Sequence, residues 1–460
     1  MRALAVVSLV LALPSALLAQ APDHRTLERE ILKQLVEINT DDSARHTDLA
    51  ANAMKQRLVA AGIPDSDIQV LELDPGVFSL VARYRGSGAA KPILMIAHLD
   101  VVPARREDWS VDPFTFLERD GYYYGRGSSD DKAGVAMLVS NLIRLKGEGF
   151  VPDRDLIIAL TGDEETSSNG IQKLVKDHRE LVDAEYALNA DAGGGELRDN
   201  KPVTFAVQTA EKVYLTFNLE VHNKGGHSSL PVPDNAIYRL AAGLGRLSRY
   251  SFPVRLNATS RTFLERASVN QPPAVARDMR AVARSSSAAA AARLSGEPYF
   301  NSIMRTTCVA TRLFGGHADN ALPQLARATV NCRMVPEDSQ DSVEAVLRRV
   351  VADTAIHFSV VDPATPSPAS PLRADLMQPI EALVKDMWPT AVVVPEMSTG
   401  ATDGAYVRNG GIPTYGVFAV FEDPNDLRIH GRDERIGVKE FHEAATFWYR
   451  LIKALAGGRK

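Results

Sequence analysis

The chain has 460 residues, 45% hydrophobic and 24% charged, with 31 Gly, 26 Pro and two Cys. This composition excludes a disordered chain, a collagen-like repeat and a disulfide-stapled miniprotein, and at roughly 150 residues per domain it leaves room for about three units. Lys plus Arg number 52 against 57 Asp plus Glu, a formal charge of −5 with no basic run, so no nucleic-acid partner is expected.

Arg2 precedes an apolar run over 3–18, broken by Pro14, with small residues at Ala16, Ala19 and Ala21. That order describes a secretory signal peptide over 1–19, with a retained anchor as the alternative. Cleavage after Ala19 is favoured over Ala21, because Pro22 would follow the second cut. The expectation is an exported protein, periplasmic or secreted, beginning near Gln20. No later apolar stretch approaches the ~20 residues of a membrane span.

Leu27, Ile31, Leu35 and Ile38 predict a helix over 25–38, and a second over 50–61 stops at Gly62 and Pro64. Strand-like runs follow at 68–73, 78–84 and 92–97. The continuous run Ile93 to Ile96 suits a strand covered on both faces, as do 156–160 and, more weakly, 186–188. A helix over 134–145 lies between them, so the first part predicts an α/β domain with a mixed, mostly parallel sheet flanked by helices. From Lys212 the order is strand 213–221, helix 235–247, strands 305–313 and 327–335, helix 342–353 and strand 356–361. This is the β-α-β-β-α-β order of a ferredoxin-like α+β domain. An insertion over 257–299 includes the Ala- and Ser-rich stretch 285–292, read as a surface helix or loop. A Pro-rich return at 363–371 leads back to α/β character. The expected organisation is therefore a catalytic domain over 20–211 and 363–460, with an inserted lid and dimerisation domain over 212–362. Cys308 and Cys332 fall in two neighbouring strand-like runs. They are either a disulfide or two buried thiols.

Three predicted strands end in acidic or imidazole groups: His98-Leu99-Asp100, Asp163-Glu164-Glu165 and Asn189-Ala190-Asp191. Between the first two lies Gly125-Arg126-Gly127-Ser128-Ser129-Asp130-Asp131-Lys132, leading into a helix. In open α/β sheets, ligands bind beyond the carboxyl ends of strands. Carboxylates gathered at one rim repel unless cations neutralise them, and imidazole plus carboxylate without thiolate suits zinc or a similar divalent ion.

With these motifs, and with Trp109, Pro113-Phe114, Gly225-Gly226-His227-Ser228-Ser229, Asn320-Ala321-Leu322-Pro323, Asn331-Cys332-Arg333, Gly400-Ala401-Thr402-Asp403 and His430-Gly431-Arg432-Asp433-Glu434 in order, the chain resembles the dizinc exopeptidases and deacylases that include aminoacylase, glutamate carboxypeptidase and carnosine dipeptidase. The resemblance implies two divalent metal ions, zinc or alternatively cobalt or manganese, bridged by Asp130. One is held also by His98 and Asp191, the other by Glu165 and His430. It implies that Asp100 takes the second nitrogen of His98, that Glu164 is the general base, and that the Asp130-Asp131 peptide is cis. Family members often carry Glu directly before the glycines, where Asp191, Ala192 and Gly193 follow one another here, with Glu196 as the fallback ligand, and usually Gly where Ala133 stands. A water between two divalent ions loses its proton far more readily than bulk water. Glu164 would take that proton and pass it to the leaving amine.

His227 is implied as an oxyanion donor, supplied by the partner subunit in dimeric relatives. Arg333, with Asn320 upstream, is implied to grip a substrate carboxylate, a task suited to its forked guanidinium. Gly400 and Thr402 would line the pocket through main-chain groups. Arg126 and Lys132 support the loop, and Glu434 is either a supporting carboxylate or a surface charge. The expected function is an exported metal-dependent hydrolase of an amide next to a free carboxylate. Its substrate is a peptide or N-acyl amino acid, and a homodimer through the small domain is possible. A biosynthetic deacylase is the alternative, opposed by the signal peptide. A non-catalytic peptide-binding relative is opposed by retention of Glu164 and all five ligand candidates.

Overall fold

A computed structural model describes residues 23–457, so the expected signal peptide over 1–19 lies outside the described residues. The continuous apolar runs become the centre of the sheet. Ile93–His98 and Leu156–Thr161 are buried at every position and run parallel. Tyr186–Asn189 pairs in parallel on the other side of Ile93–His98, and Thr414–Gly416 in parallel beyond it. Four parallel strands therefore end at one rim. One flank is the hairpin Ile68–Asp74 and Val77–Tyr84; the other carries Lys201–Glu211, Gly194–Arg198, Phe421–Glu422 and Val392–Ser398. The main apolar core lies between this sheet and helices His24–Val36, Lys132–Gly147, Ala374–Met387 and Val438–Ala456. Among the described residues, no helix is long and apolar enough to cross a membrane.

The second unit has the expected order. Thr307–Gly315, Leu325–Met334, Val213–His222 and Ile356–Asp362 form an antiparallel sheet in that spatial order, with helices Ala236–Leu247 and Gln340–Val351. Alternation decides its faces. Ala326, Ala328, Val330, Cys332 and Met334 are buried in its core, leaving Arg327, Thr329, Asn331 and Arg333 on the opposite face. Cys308 and Cys332 are register partners joined in a disulfide, which settles the choice between bridge and free thiols.

The insertion departs from expectation. It folds into helices Ala258–Ala267, Pro273–Ser285, Ala288–Leu294 and Pro298–Met304, and within the low-complexity stretch Ala290 and Ala291 are buried. These helices share an apolar core with Ala210, Val394 and Met397 of the large sheet. The insert therefore belongs physically to the large domain, although in sequence it interrupts the small one. Apolar residues on its inner faces, such as Phe263, Leu264, Met279 and Val282, need a partner that the small sheet, already covered by two helices, does not offer.

Helix Lys132–Gly147 starts under a tight constraint. A Cβ on Gly134 would stand 2.1 Å from Oδ1 of the buried Asp131. Helix propensity favours Ala over Gly by ~1 kcal/mol, whereas forcing an atom into a packed core costs about 1–3 kcal/mol. Ala133 sits in the same helix without positive φ, so the departure at that position is tolerated. Gly134→Ala should therefore lower the thermal midpoint despite its better helix propensity; an unchanged or raised midpoint in calorimetry would show that Asp131 yields freely.

Candidate metal centre

Each expected ligand arrives from a different segment at the rim. His98 is the last residue of its strand, Glu164 and Glu165 follow Leu156–Thr161, and Asp191 follows Tyr186–Asn189. The Asp130-Asp131 peptide is cis, as the resemblance implied. Asp130 turns one oxygen to each imidazole: Oδ1 is 2.9 Å from His98 Nε2, and Oδ2 is 3.1 Å from His430 Nε2. His98 Nε2 also lies 3.7 Å from Asp191 Oδ1, and His430 Nε2 lies 2.8 Å from Glu165 Oε1. The potential ligand atoms of His98, Glu164 and Asp191 fall within 4.8 Å of one another, as do those of His98, Asp130 and Glu165. Glu196 is instead paired with Arg198 at 2.8 Å, so Asp191 and not the fallback reaches His98. His430 occupies this position with φ of +60°, a left-handed conformation uncommon outside glycine.

The donor set fits a pair of divalent ions. Four carboxylates meet two imidazoles, and among the described residues no Lys or Arg is ion-paired to Asp130, Glu164, Glu165 or Asp191. Oxygen and imidazole donors suit zinc-like cations. The titrations reflect the crowding. Burial pushes Asp191 up to about 7 against the pull of His98, and burial with neighbouring Asp191 raises Glu164 well above the usual carboxylate range. Hydrogen bonds to Asp130 and Glu165 push His430 up to about 10.

Asp100 holds the centre differently from expectation. His98 Nδ1 is nearest its main-chain oxygen, at 3.0 Å, with the carboxylate at 3.4 Å. The carboxylate instead accepts the backbone N–H groups of Glu164 and Glu165 at 3.1 and 3.0 Å. Asp100 is thus a positioning residue for three of the groups at once. Glu434 resolves to a supporting role: fully buried, it accepts Arg126 Nη1 at 2.6 Å and the N–H groups of Gly127, Ser129 and Asp130 at 3.2, 2.9 and 3.1 Å. The Arg126 guanidinium lies over Trp109, and Lys132 donates to the Ile38 carbonyl at 2.9 Å, so both support the loop.

The substrate-side residues divide. Arg333 stacks on Tyr214 and donates to the Thr399 carbonyl at 3.3 Å, beside Gly400. The Thr402 hydroxyl donates to Glu211 at 2.8 Å and accepts from Asn189 at 3.1 Å, so its side chain is committed to the scaffold and only its loop can face a ligand. His227 and Asn320 are exposed and sit together on the ribbon Gly226–His227 and Ala321–Leu322. Among the described residues, no hydrogen bond or ion pair links either to the metal centre. Two supports were missed from sequence. Glu211 and Arg408 form a fully buried ion pair behind Thr402, and Asp403 accepts the Thr161 hydroxyl at 2.6 Å. Asp403 stood in a quoted motif; the isolated Glu211 and Arg408 carried no sequence signal.

The model of peptidase family M20/M25/M40 matches residues 94–454, and the chain belongs to this family of amide-bond hydrolases. It is 31% identical to human N-fatty-acyl-amino acid synthase/hydrolase PM20D1 over 372 residues, 79% of this chain and 74% of that protein. It is 30% identical to a probable carboxypeptidase S-like 2 of Dictyostelium discoideum, over 82% of this chain and 74% of that one. In fold it resembles the M20 family metallo-carboxypeptidase Sso-CP2 of Sulfolobus solfataricus, with a TM-score of 0.69 and 17% identity, covering 93% and 99% of the two chains.

The titrations set a pH dependence for the metal-free protein. Asp191, raised from 3.8 to about 7, weakens the fold progressively as pH rises through that interval. His430, raised from 6.5 to about 10, stabilises fully below 6.5 and loses that contribution towards 10. Up to pH 7 the slopes share a sign, so the thermal midpoint in chelator should fall from pH 5 to 7; above 7 Lys132 and Lys212, which burial lowers to about 7, oppose His430. A chelated midpoint that rises over this range would contradict it.

Proposed function

We propose that the protein is an exported hydrolase of N-acyl amino acids, cleaving the amide next to a free carboxylate. The observation that carries this reading is Asp130 facing both imidazoles with Glu164 alongside. Two divalent ions, zinc in preference to cobalt or manganese, would be held by His98, Asp130 and Asp191 and by Asp130, Glu165 and His430. They would supply Lewis acidity that eases deprotonation of a water. Glu164 accepts that proton as the water oxygen adds to the amide carbonyl carbon, and returns it to the amine nitrogen as the C–N bond breaks, leaving a carboxylic acid and an amine. Arg333 meets the substrate carboxylate with the guanidinium N–H groups not used on Thr399. N-acyl amino acids are preferred over peptides because the human relative's name describes hydrolysis of such compounds; the Dictyostelium relative supports carboxypeptidase action as the second reading.

Glu164→Gln should keep its metal content and lose about 10²–10⁴ in kcat. In a panel of N-acyl amino acids, dipeptides and their C-terminal amides, the free acids should be preferred, and Arg333→Ala should erase that preference through KM. Equal turnover of acids and amides by the unaltered enzyme would refute the Arg333 role.

We further propose that a second copy covers the small domain and brings His227 and Asn320 to the partner's metal centre. Strand Thr307–Gly315 is an open edge, with Leu313 and Phe314 exposed at 73% and 57%. Between it and helix Ala236–Leu247 lies an apolar groove of about 330 Å³ that includes Ile237, Leu240 and Leu244. An open hydrophobic edge is a ready site for strand pairing. Phe314→Glu should convert a dimer to a monomer in light scattering and lower activity; a monomeric unaltered enzyme at full activity would overturn this.

A further inference from the structure

Four of the rim's ligands have their main-chain N–H accepted by a buried side chain. Asp131 Oδ2 takes that of His98 at 3.2 Å, Glu434 Oε1 that of Asp130 at 3.1 Å, and Asp100 Oδ2 that of Glu165 at 3.0 Å. Asp191 differs in kind. Its N–H donates to the side-chain oxygen of Asn189 at 3.0 Å, a neutral amide that is fully buried at the end of strand Tyr186–Asn189. A further carboxylate there would add negative charge to a rim already crowded with it, whereas the amide holds the ligand's backbone without doing so.

This one contact fixes the direction of the bonds behind it. A backbone N–H can only donate, so the Asn189 amide turns its oxygen to Asp191 and its Nδ2 to Thr402 Oγ1, at 3.1 Å. The single hydroxyl hydrogen of Thr402 then goes to Glu211 Oε1 at 2.8 Å. Glu211 Oε2 accepts the Thr402 N–H at 2.9 Å, and Arg408 balances the charge. The side-chain donors all point one way, from Asp191 towards Glu211, and bonds so aligned strengthen one another in a dry interior. Asp191 depends on this support more than its neighbours do. The Asp130 oxygens meet the two imidazoles at 2.9 and 3.1 Å, and Glu165 meets His430 at 2.8 Å. His98 Nε2 stands 3.7 Å from Asp191, whose carboxylate accepts no hydrogen bond among the described residues.

We propose that Asn189 is a positioning residue for one ion of the pair: it ties Asp191, and with it the ion shared with His98 and Asp130, to the loop over 399–403. The ligand segment of Glu165 is held by Asp100 instead, so the two ions rest on different supports. The same loop receives Arg333 at the Thr399 carbonyl, so one stretch of chain braces both a metal ligand and the residue proposed to grip the substrate carboxylate. The inference rests on the two-ion reading above and deepens it by separating the two ions.

The test is metal uptake by the chelator-stripped full protein, with zinc alone as the probe and bound metal counted against a competing chelator. The unaltered protein should hold two ions. Asn189→Ala should weaken one of them by about 10–100-fold, the usual cost of removing a group that orients a metal ligand, and leave the other unchanged. Thr402→Val, which removes the hydroxyl that Asn189 meets, should weaken the same ion, and Thr402→Ser should restore it. Adding Asn189→Ala to Asp191→Ala should cost little further, whereas adding it to Glu165→Ala should weaken both ions. Thermal midpoints in chelator show which variants fold, and the Thr402 pair decides the matter if Asn189→Ala does not. Equal weakening of both ions, or two ions held as tightly as before, overturns the role of Asn189 and leaves the metal centre standing. Uptake of fewer than two ions by the unaltered protein overturns the two-ion reading and this inference with it.

Discussion

Crowded negative charge is the constraint that organises this molecule. Four carboxylates converge on two imidazoles with no basic side chain paired to them. Like charges at that spacing shift one another's titration by several units and oppose the fold unless cations enter. The sheet's design answers this. Four parallel strands, buried along their length, deliver their ends to one rim, so rigid backbone rather than mobile loop bears the repulsion. The Coulombic cost carried by the metal-free fold is what a pair of divalent ions would offset.

The supports around the ligands share one physical device. A buried carboxylate accepts one or more backbone N–H groups and thereby fixes a loop. Asp100 does so for Glu164 and Glu165, Glu434 for residues 127–130, and Asp163 for the turn into Gly170. Glu211 does it for Thr402, with Arg408 balancing its charge. Charge-assisted bonds to main chain are short and directional, so they hold ligand segments within the few tenths of an ångström that metal geometry demands.

Much of this was legible in sequence because it rests on local pattern. Unbroken apolar runs marked the central strands, and clearer alternation over 213–221 marked the start of the small sheet. Acids at strand ends marked the rim, although only the family resemblance assigned ligand roles to His98, Asp130, Glu165, Asp191 and His430. What escaped depends on long-range contact. Nothing near Glu211 announces Arg408 almost two hundred residues later. Nothing in the Asp100 motif says that its carboxylate faces the Glu164 amides while its carbonyl meets His98. The insert was misassigned for the same reason: chain order placed it in the small domain, whereas apolar packing sends it to Val394 and Met397.

That displacement bears on how a substrate is read. Arg333 belongs to the small domain and, among the described residues, hydrogen-bonds to the large one at the Thr399 carbonyl, while the insert belongs to the same packed body as the metal ligands. Under the proposed function, the carboxylate is gripped by the small domain while the metals are held by the large one. A substrate lacking the carboxylate would still reach the rim, but it would not draw the small domain towards it. The energy of the carboxylate contact would then appear in assembling the site rather than in binding alone, which is how a distant Arg can act on kcat as well as KM. The buried Lys212, whose ammonium donates to the Ser302 and Arg305 carbonyls at 2.8 and 2.7 Å, fixes the crossover between the two bodies to the insert. This clamp ties the start of the small domain to the insert, which itself packs on the large sheet that carries the metal ligands.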